Sequence, residues 1–155
     1  MTALKYQVTK TYTHSIGLSA CFRQWRAHHS HCRFMHGYAL QVKIVFESPV
    51  LDNRNWVMDF GGLKTIKNWL GSTFDHKTLV ATDDPHYQQF VKLNQLGIID
   101  MISVDAVGCE AFAKLIFDHV SNELRSGNLV APEQTEVRYV EVREHESNSA
   151  IYGAV

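Results

Sequence analysis

Apolar and polar side chains alternate strictly from Tyr38 to Glu47. Tyr38, Leu40, Val42, Ile44 and Phe46 fall on one side, and Ala39, Gln41, Lys43, Val45 and Glu47 on the other. A period of two belongs to a half-buried strand, so this segment predicts the clearest strand of the chain. Ser48-Pro49 ends it, and residues 52–55 make a turn. Upstream, Tyr6, Val8, Tyr12, Ile16 and Leu18 mix with Thr and Ser in a β-favouring run over residues 6–22, with a bulge or a close backbone approach expected at Gly17. Residues 23–35 are polar and histidine-rich and read as a loop.

Beyond the turn the period lengthens. Asp59 stands where a helix N-cap belongs, Leu63, Ile66, Trp69 and Leu70 recur at helical spacing, and Gly71 is expected to stop the helix. Residues 74–80 read as a short extended or loop path, and Asp83-Asp84-Pro85 turns the chain into a short helix from Tyr87 to Leu96, ended by Gly97. A second amphipathic helix carries Phe112, Leu115, Ile116, Val120 and Leu124 and closes at Gly127. His119 on it reads as a satisfied helix residue, and Trp69, Phe112 and Ile116 read as core. Strands over 136–144 and 150–155 finish the chain, joined by a turn at Glu146-Ser147-Asn148. The order β-β-α-α-β-β predicts a single α+β domain over residues 1–155, an antiparallel four-stranded sheet with two helices on one face. Such a sheet has open edges, which joining between subunits would cover.

Composition narrows the partners. A formal net charge of −1 leaves no electrostatic footprint for nucleic acid or an anionic membrane. No apolar run reaches the length of a membrane span, and the first residues lack a signal-peptide stretch. Cys21, Cys32 and Cys109 are odd in number and lack Cys-x-x-Cys spacing, which points to free thiols in a reducing cytoplasm. Cys21 and Cys109 read as packing thiols.

The chemistry concentrates between His28 and Tyr38, His-His-Ser-His-Cys-Arg-Phe-Met-His-Gly-Tyr. Imidazole and thiolate titrate nearest neutral pH and bind transition metals well. For His28 and His29 a solvated loop is the competing reading.

Within this stretch, Cys32-Arg-Phe-Met-His36-Gly37 resembles the Cys-x-x-x-His-Gly-His motif of the 6-pyruvoyltetrahydropterin synthase family, which includes 6-carboxytetrahydropterin synthase. Leu18-Ser19-Ala20-Cys21-Phe22 looks like the family's Phe-Ser-Ala-x-His strand, and Val57-Met58-Asp59-Phe60 with Leu63-Lys64 its Val-x-Asp-Phe-x-x-Leu-Lys helix start. Phe74-Asp75-His76 with Leu79 is similar to Leu-Asp-His-x-x-Leu-Asn, and Val142-Arg143-Glu144 with Ala150-Ile151-Tyr152 to the last motif. Five motifs in family order span nearly the whole chain.

The resemblance implies a tunnelling fold, β-β-α-α-β-β, closed by symmetry into an oligomeric barrel, usually a homohexamer with sites at subunit interfaces. It implies a cytoplasmic lyase acting on 7,8-dihydroneopterin triphosphate, a small-molecule pterin. In a bacterium or phage it implies service to a deazapurine (queuosine-type) pathway. Cys32 then matches the catalytic general base, with His31 and Arg33 placed to lower its pKa. Asp75 and His76 match the proton relay. Glu144 matches the pterin anchor, since a carboxylate accepts paired hydrogen bonds from an amino group and ring N–H. Glu110 aligns with a further substrate-binding glutamate.

The family's catalytic zinc rests on three histidines. Those positions are Phe22, His36 and Tyr38 here, so one imidazole remains. Catalytic zinc takes three protein ligands and an open position. Two explanations stand: a site rebuilt from His29, His31 and His36, or loss of the metal. In the second, the chain either retains an easier lyase step or is a non-catalytic pterin- or purine-binding protein. A small metal-binding protein unrelated to pterins is a third class.

Overall fold

The computed structural model describes residues 3–155. It contains one seven-stranded sheet and three α-helices. The strands are β1 (Tyr6–Tyr12), β2 (Leu18–Phe22), β3 (His36–Ser48), β4 (Lys77–Ala81), β5 (Met101–Val104), β6 (Glu136–His145) and β7 (Asn148–Gly153). The helices are α1 (Lys64–Phe74), α2 (Tyr87–Gln95) and α3 (Cys109–Arg125).

The long strand β3 organises the sheet. Along one side its first half pairs antiparallel with β2, from Phe22↔His36 to Leu18↔Leu40. Its second half pairs antiparallel with β1, from Tyr12↔Val42 to Tyr6↔Ser48. The β-favouring run over 6–22 is therefore two strands, broken by a 3-10 turn at His14–Ile16 and by Gly17 at φ 79°. Gly17 makes a left-handed turn, and a Cβ there would meet nothing within 4 Å, so it marks neither a bulge nor a close backbone approach. On its other side β3 pairs with β6, and β6 with β7.

The expected four antiparallel strands are an underestimate. β4 lies parallel to β2, and β5 parallel to β4, so the sheet is mixed. Two strands escaped the pattern for physical reasons. β4 is buried at four of its five positions on both faces, so it shows no alternation. β5 has four residues, too few to establish a period. Parallel neighbours need a crossover, and α2 supplies it between β4 and β5.

α1 and α3 lie against the sheet side by side, with Phe74 edge-on to Phe112 at 5.3 Å and Trp69 stacked on His119 at 3.8 Å. Their faces meet Leu40, Val42, Ile44 and Phe46 of β3, all fully buried, in one core with Ile66, Leu70, Phe112 and Ile116. His119 is held by its stack on Trp69, and burial pushes its pKa down. Gly71 does not end α1, which continues to Phe74. Burying a phenylalanine gains about 2–3 kcal/mol, against about 1 kcal/mol lost to a helical glycine, so packing wins. Asp59 does cap, but it caps the 3-10 turn Phe60–Leu63 that leads into α1, accepting from the Gly61 N–H at 3.0 Å.

Gly37 marks a close approach. A Cβ there would stand 2.6 Å from the backbone oxygen of Ala20. Gly37→Ala is therefore expected to push β2 off β3 and cost about 1–3 kcal/mol. Chemical denaturation checks this, and an unchanged midpoint would rule out the steric argument.

Candidate active site

A cleft of about 680 Å³ opens where the end of β2, the start of β3, the first turn of α3 and the β6–β7 hairpin converge. Cys32, His36, Glu110 and Glu144 all line it, together with His29 from the loop. These five come from three segments far apart in the chain, residues 29–36, 110 and 144.

The loop over residues 23–35 is tied down at its N-terminal flank. Arg23 donates two hydrogen bonds to Asp84, at 2.8 and 2.7 Å, and the Asp84 side chain is 2% exposed. Next to it, Trp25 Nε1 and Arg26 both donate to Asp83, while the Arg26 guanidinium lies 4.3 Å from the Trp25 ring centre. Asp83 and Asp84 thus clamp the loop as well as turning the chain. Within the loop, Ser30 Oγ accepts from the Cys32 N–H at 3.1 Å, setting the 3-10 turn His31–Arg33. Gln24 donates through its backbone N–H to the Cys32 carbonyl and through Nε2 to the Val107 carbonyl. That side chain joins the Cys32 turn to the start of α3. Cys32 itself is exposed to the cleft.

The helpers expected for Cys32 are engaged elsewhere. Arg33 donates to the His28 carbonyl at 2.8 Å and lies over the Phe34 ring, and the His31 ring neighbours Phe34 at 6.3 Å.

Glu144 closes the opposite wall. Its Oε1 accepts from Asn148 Nδ2 at 3.0 Å, and the Cys109 thiol donates to Oε2 at 4.0 Å. Burial first, then the charges of Glu144 and Glu110, push the Cys109 thiol up to about 12, so it stays protonated. Cys109 packs as expected, yet it also faces the cleft. Asn148 orients Glu144 and gives no signal in a single sequence, because its role depends on the hairpin register. Glu110 sits in the first turn of α3, where a carboxylate is favoured by the helix N-terminus.

The three positions that correspond to the family's zinc ligands do converge. Phe22 pairs across from His36 in register, and the rings of Phe22, His36 and Tyr38 lie 5.4–6.4 Å apart. They do not form a donor set. Phe22 is 4% exposed and packs edge-on to Phe112. The Tyr38 hydroxyl is raised above its ordinary pKa by burial first, then by Glu144, Cys32 and Cys109, and so remains a neutral phenol. A zinc of the family type does not fit these residues. The substitute set His29, His31 and His36 is not assembled either. Among the described residues, no group of three or more His, Cys, Asp or Glu is placed to hold a metal. The segment turns instead of running extended, so residues two apart do not share a face; His29 and His36 line the cleft, and His31 does not.

Asp75 and His76 form a pair, but outside this cleft. Asp75 Oδ1 accepts from His76 Nδ1–H at 2.8 Å and from the Ser19 N–H at 3.3 Å. Adjacent residues achieve this because His76 adopts φ 58°, with its N–H donating to the Ser19 carbonyl. The His76 side chain is 86% exposed.

The curated 6-carboxy-5,6,7,8-tetrahydropterin synthase of Aquifex aeolicus is 23% identical over 155 residues, covering 90% of this chain and 91% of that protein. An uncharacterized protein of Wolinella succinogenes superposes with a TM-score of 0.79 at 19% identity, covering 97% of this chain and 98% of its own. The 6-pyruvoyl tetrahydropterin synthase of Plasmodium falciparum superposes at 0.65 with 15% identity, covering 96% of each chain. The family profile for 6-pyruvoyl tetrahydropterin synthase matches residues 11–154, and the chain belongs to that family.

Proposed function

We propose that the chain is a lyase acting on the side chain of a reduced pterin, 7,8-dihydroneopterin triphosphate or a close relative, as a homo-oligomer. The observation that supports it best is the meeting of Cys32, Glu110 and Glu144 in one cleft. Glu144, oriented by Asn148, accepts the amino group and ring N–H of the pterin through charge-assisted hydrogen bonds. The heterocycle then lies with its side chain toward Cys32, whose thiolate takes a proton from a side-chain carbon. Asp75 and His76 lie outside the cleft of their own chain, so in this reading a second copy brings its pair to the site. There the carboxylate holds the imidazole tautomer with Nε2 free to move a proton.

A second reading is a non-catalytic pterin- or purine-binding protein of the same fold, favoured by Phe22 and Tyr38 at the ligand positions. Calorimetry with 7,8-dihydroneopterin, on wild type and Glu144→Ala, tests the shared core of both. Two charged hydrogen bonds predict about a hundredfold weaker binding in the variant. Equal affinity would remove Glu144 as the anchor. Assaying triphosphate release from 7,8-dihydroneopterin triphosphate then separates enzyme from binder.

A further inference from the structure

We infer that this cleft works without a bound metal, and that His36 Nε2 holds a hydroxyl of the substrate side chain where zinc would otherwise hold it. The inference rests on the pterin reading for the identity of the substrate alone.

The donor set carries the first half. Phe22 offers no lone pair and is locked in the core against Phe112 at 5.0 Å, so no side-chain rotation restores a ligand there. Tyr38 offers a phenol, a poor zinc ligand, and His36 is a single imidazole where catalytic zinc requires three ligands.

Hydrogen bonding carries the second half. The His36 Nδ1 lies 2.7 Å from the Phe34 carbonyl oxygen. A carbonyl only accepts, so Nδ1 carries the hydrogen, and in the neutral imidazole Nε2 keeps its lone pair. The Tyr38 ring meets the imidazole edge-on at 5.4 Å and 84°, which sets its tilt. His36 lines the cleft together with Cys32 and Glu144. An oriented acceptor beside the base is what a side-chain hydroxyl needs in order to be held while Cys32 works at carbon. The hydroxyl donates to Nε2 and keeps its proton.

Zinc titration of chelator-treated protein by calorimetry tests the first half without any pterin. Absence of stoichiometric binding is the expected result, and binding that survives His36→Asn, His29→Asn and Cys32→Ala alike lies outside the cleft and agrees with it. About one zinc per chain, lost in His36→Asn, would overturn the inference.

Two variants test the second half against a merely structural role. Asparagine can still donate to Phe34 but has nothing at Nε2, whereas glutamine places an amide oxygen near Nε2 and gives up the Phe34 bond. Binding of 7,8-dihydroneopterin is expected to weaken about tenfold in His36→Asn and to stay near wild type in His36→Gln. The reverse order would assign His36 a structural role and overturn this half. Wild-type protein that binds no pterin would instead defeat the proposed function, and the zinc titration would still decide the first half.

Discussion

Turnover of a reduced pterin is expected to fall about 10²- to 10⁴-fold when Cys32 is replaced by alanine, with pterin affinity unchanged. The split follows from where the groups sit. Glu144 and Asn148 hold one wall of the cleft, while Cys32 stands on the loop across from them. Removing the thiol therefore deletes the base and leaves the anchor. Steady-state kinetics beside calorimetry reads both quantities. Loss of affinity in parallel with turnover would show Cys32 binding the substrate instead of deprotonating it. Wild-type protein without turnover would leave the chain a pterin binder. Alkylation with iodoacetamide gives an independent check on the two cleft thiols. Cys32 is exposed, whereas Cys109 is buried and its thiol stands at about 12, so modification and inactivation are expected to track Cys32.

Arg23→Ala is expected to destabilise the fold by about 3 kcal/mol, which for a chain of this size lowers Tm by about 10 °C. The reason is the carboxylate left behind. Asp84 is nearly inaccessible, and Arg23 supplies two of its hydrogen bonds. Burial alone would raise the Asp84 carboxyl. Hydrogen bonds from Arg23 and from the His86 N–H outweigh that and hold it below the usual carboxylate range. A depressed folded value means that this stabilisation is present above the unfolded carboxylate value near about 4. It is lost as pH falls through the lower folded value. The stability gap between wild type and Arg23→Ala should accordingly be full at neutral pH and narrow in acid. Denaturation curves for both proteins at pH 7 and pH 3 measure it, and a gap that stays constant would place the effect in packing. Activity should fall as well, because the same clamp holds the loop that carries Cys32.

Legibility in the sequence followed burial. β3 announced itself because Leu40, Val42, Ile44 and Phe46 face the helices while Gln41 and Lys43 lie only half-buried on the other face. β4 gave no such signal because both of its faces are covered, and its parallel pairing with β2 joins residues more than fifty positions apart. Gly71 misled in the opposite direction: a local preference to break the helix yielded to the burial of Phe74. In the site, Cys32, Glu110, Glu144 and His36 were singled out from motif, and the fold brings them to one cleft. The histidine set His29, His31 and His36 did not assemble, because a turn replaces the extended backbone that would align it.

Sequence by itself determined the α+β class and the family, and singled out the residue types for the candidate chemistry, with Phe22 and Tyr38 at two positions where the resemblance implies imidazoles. Those are properties of order and identity along the chain. Tertiary structure alone decided that Asp84 clamps the Cys32 loop, that Asn148 orients Glu144, and that Asp75 and His76 lie outside the cleft of their own chain. The physical reason is range. Side-chain periodicity reports only which face of a local element is buried, whereas the cleft is built by strand register and helix packing between distant segments.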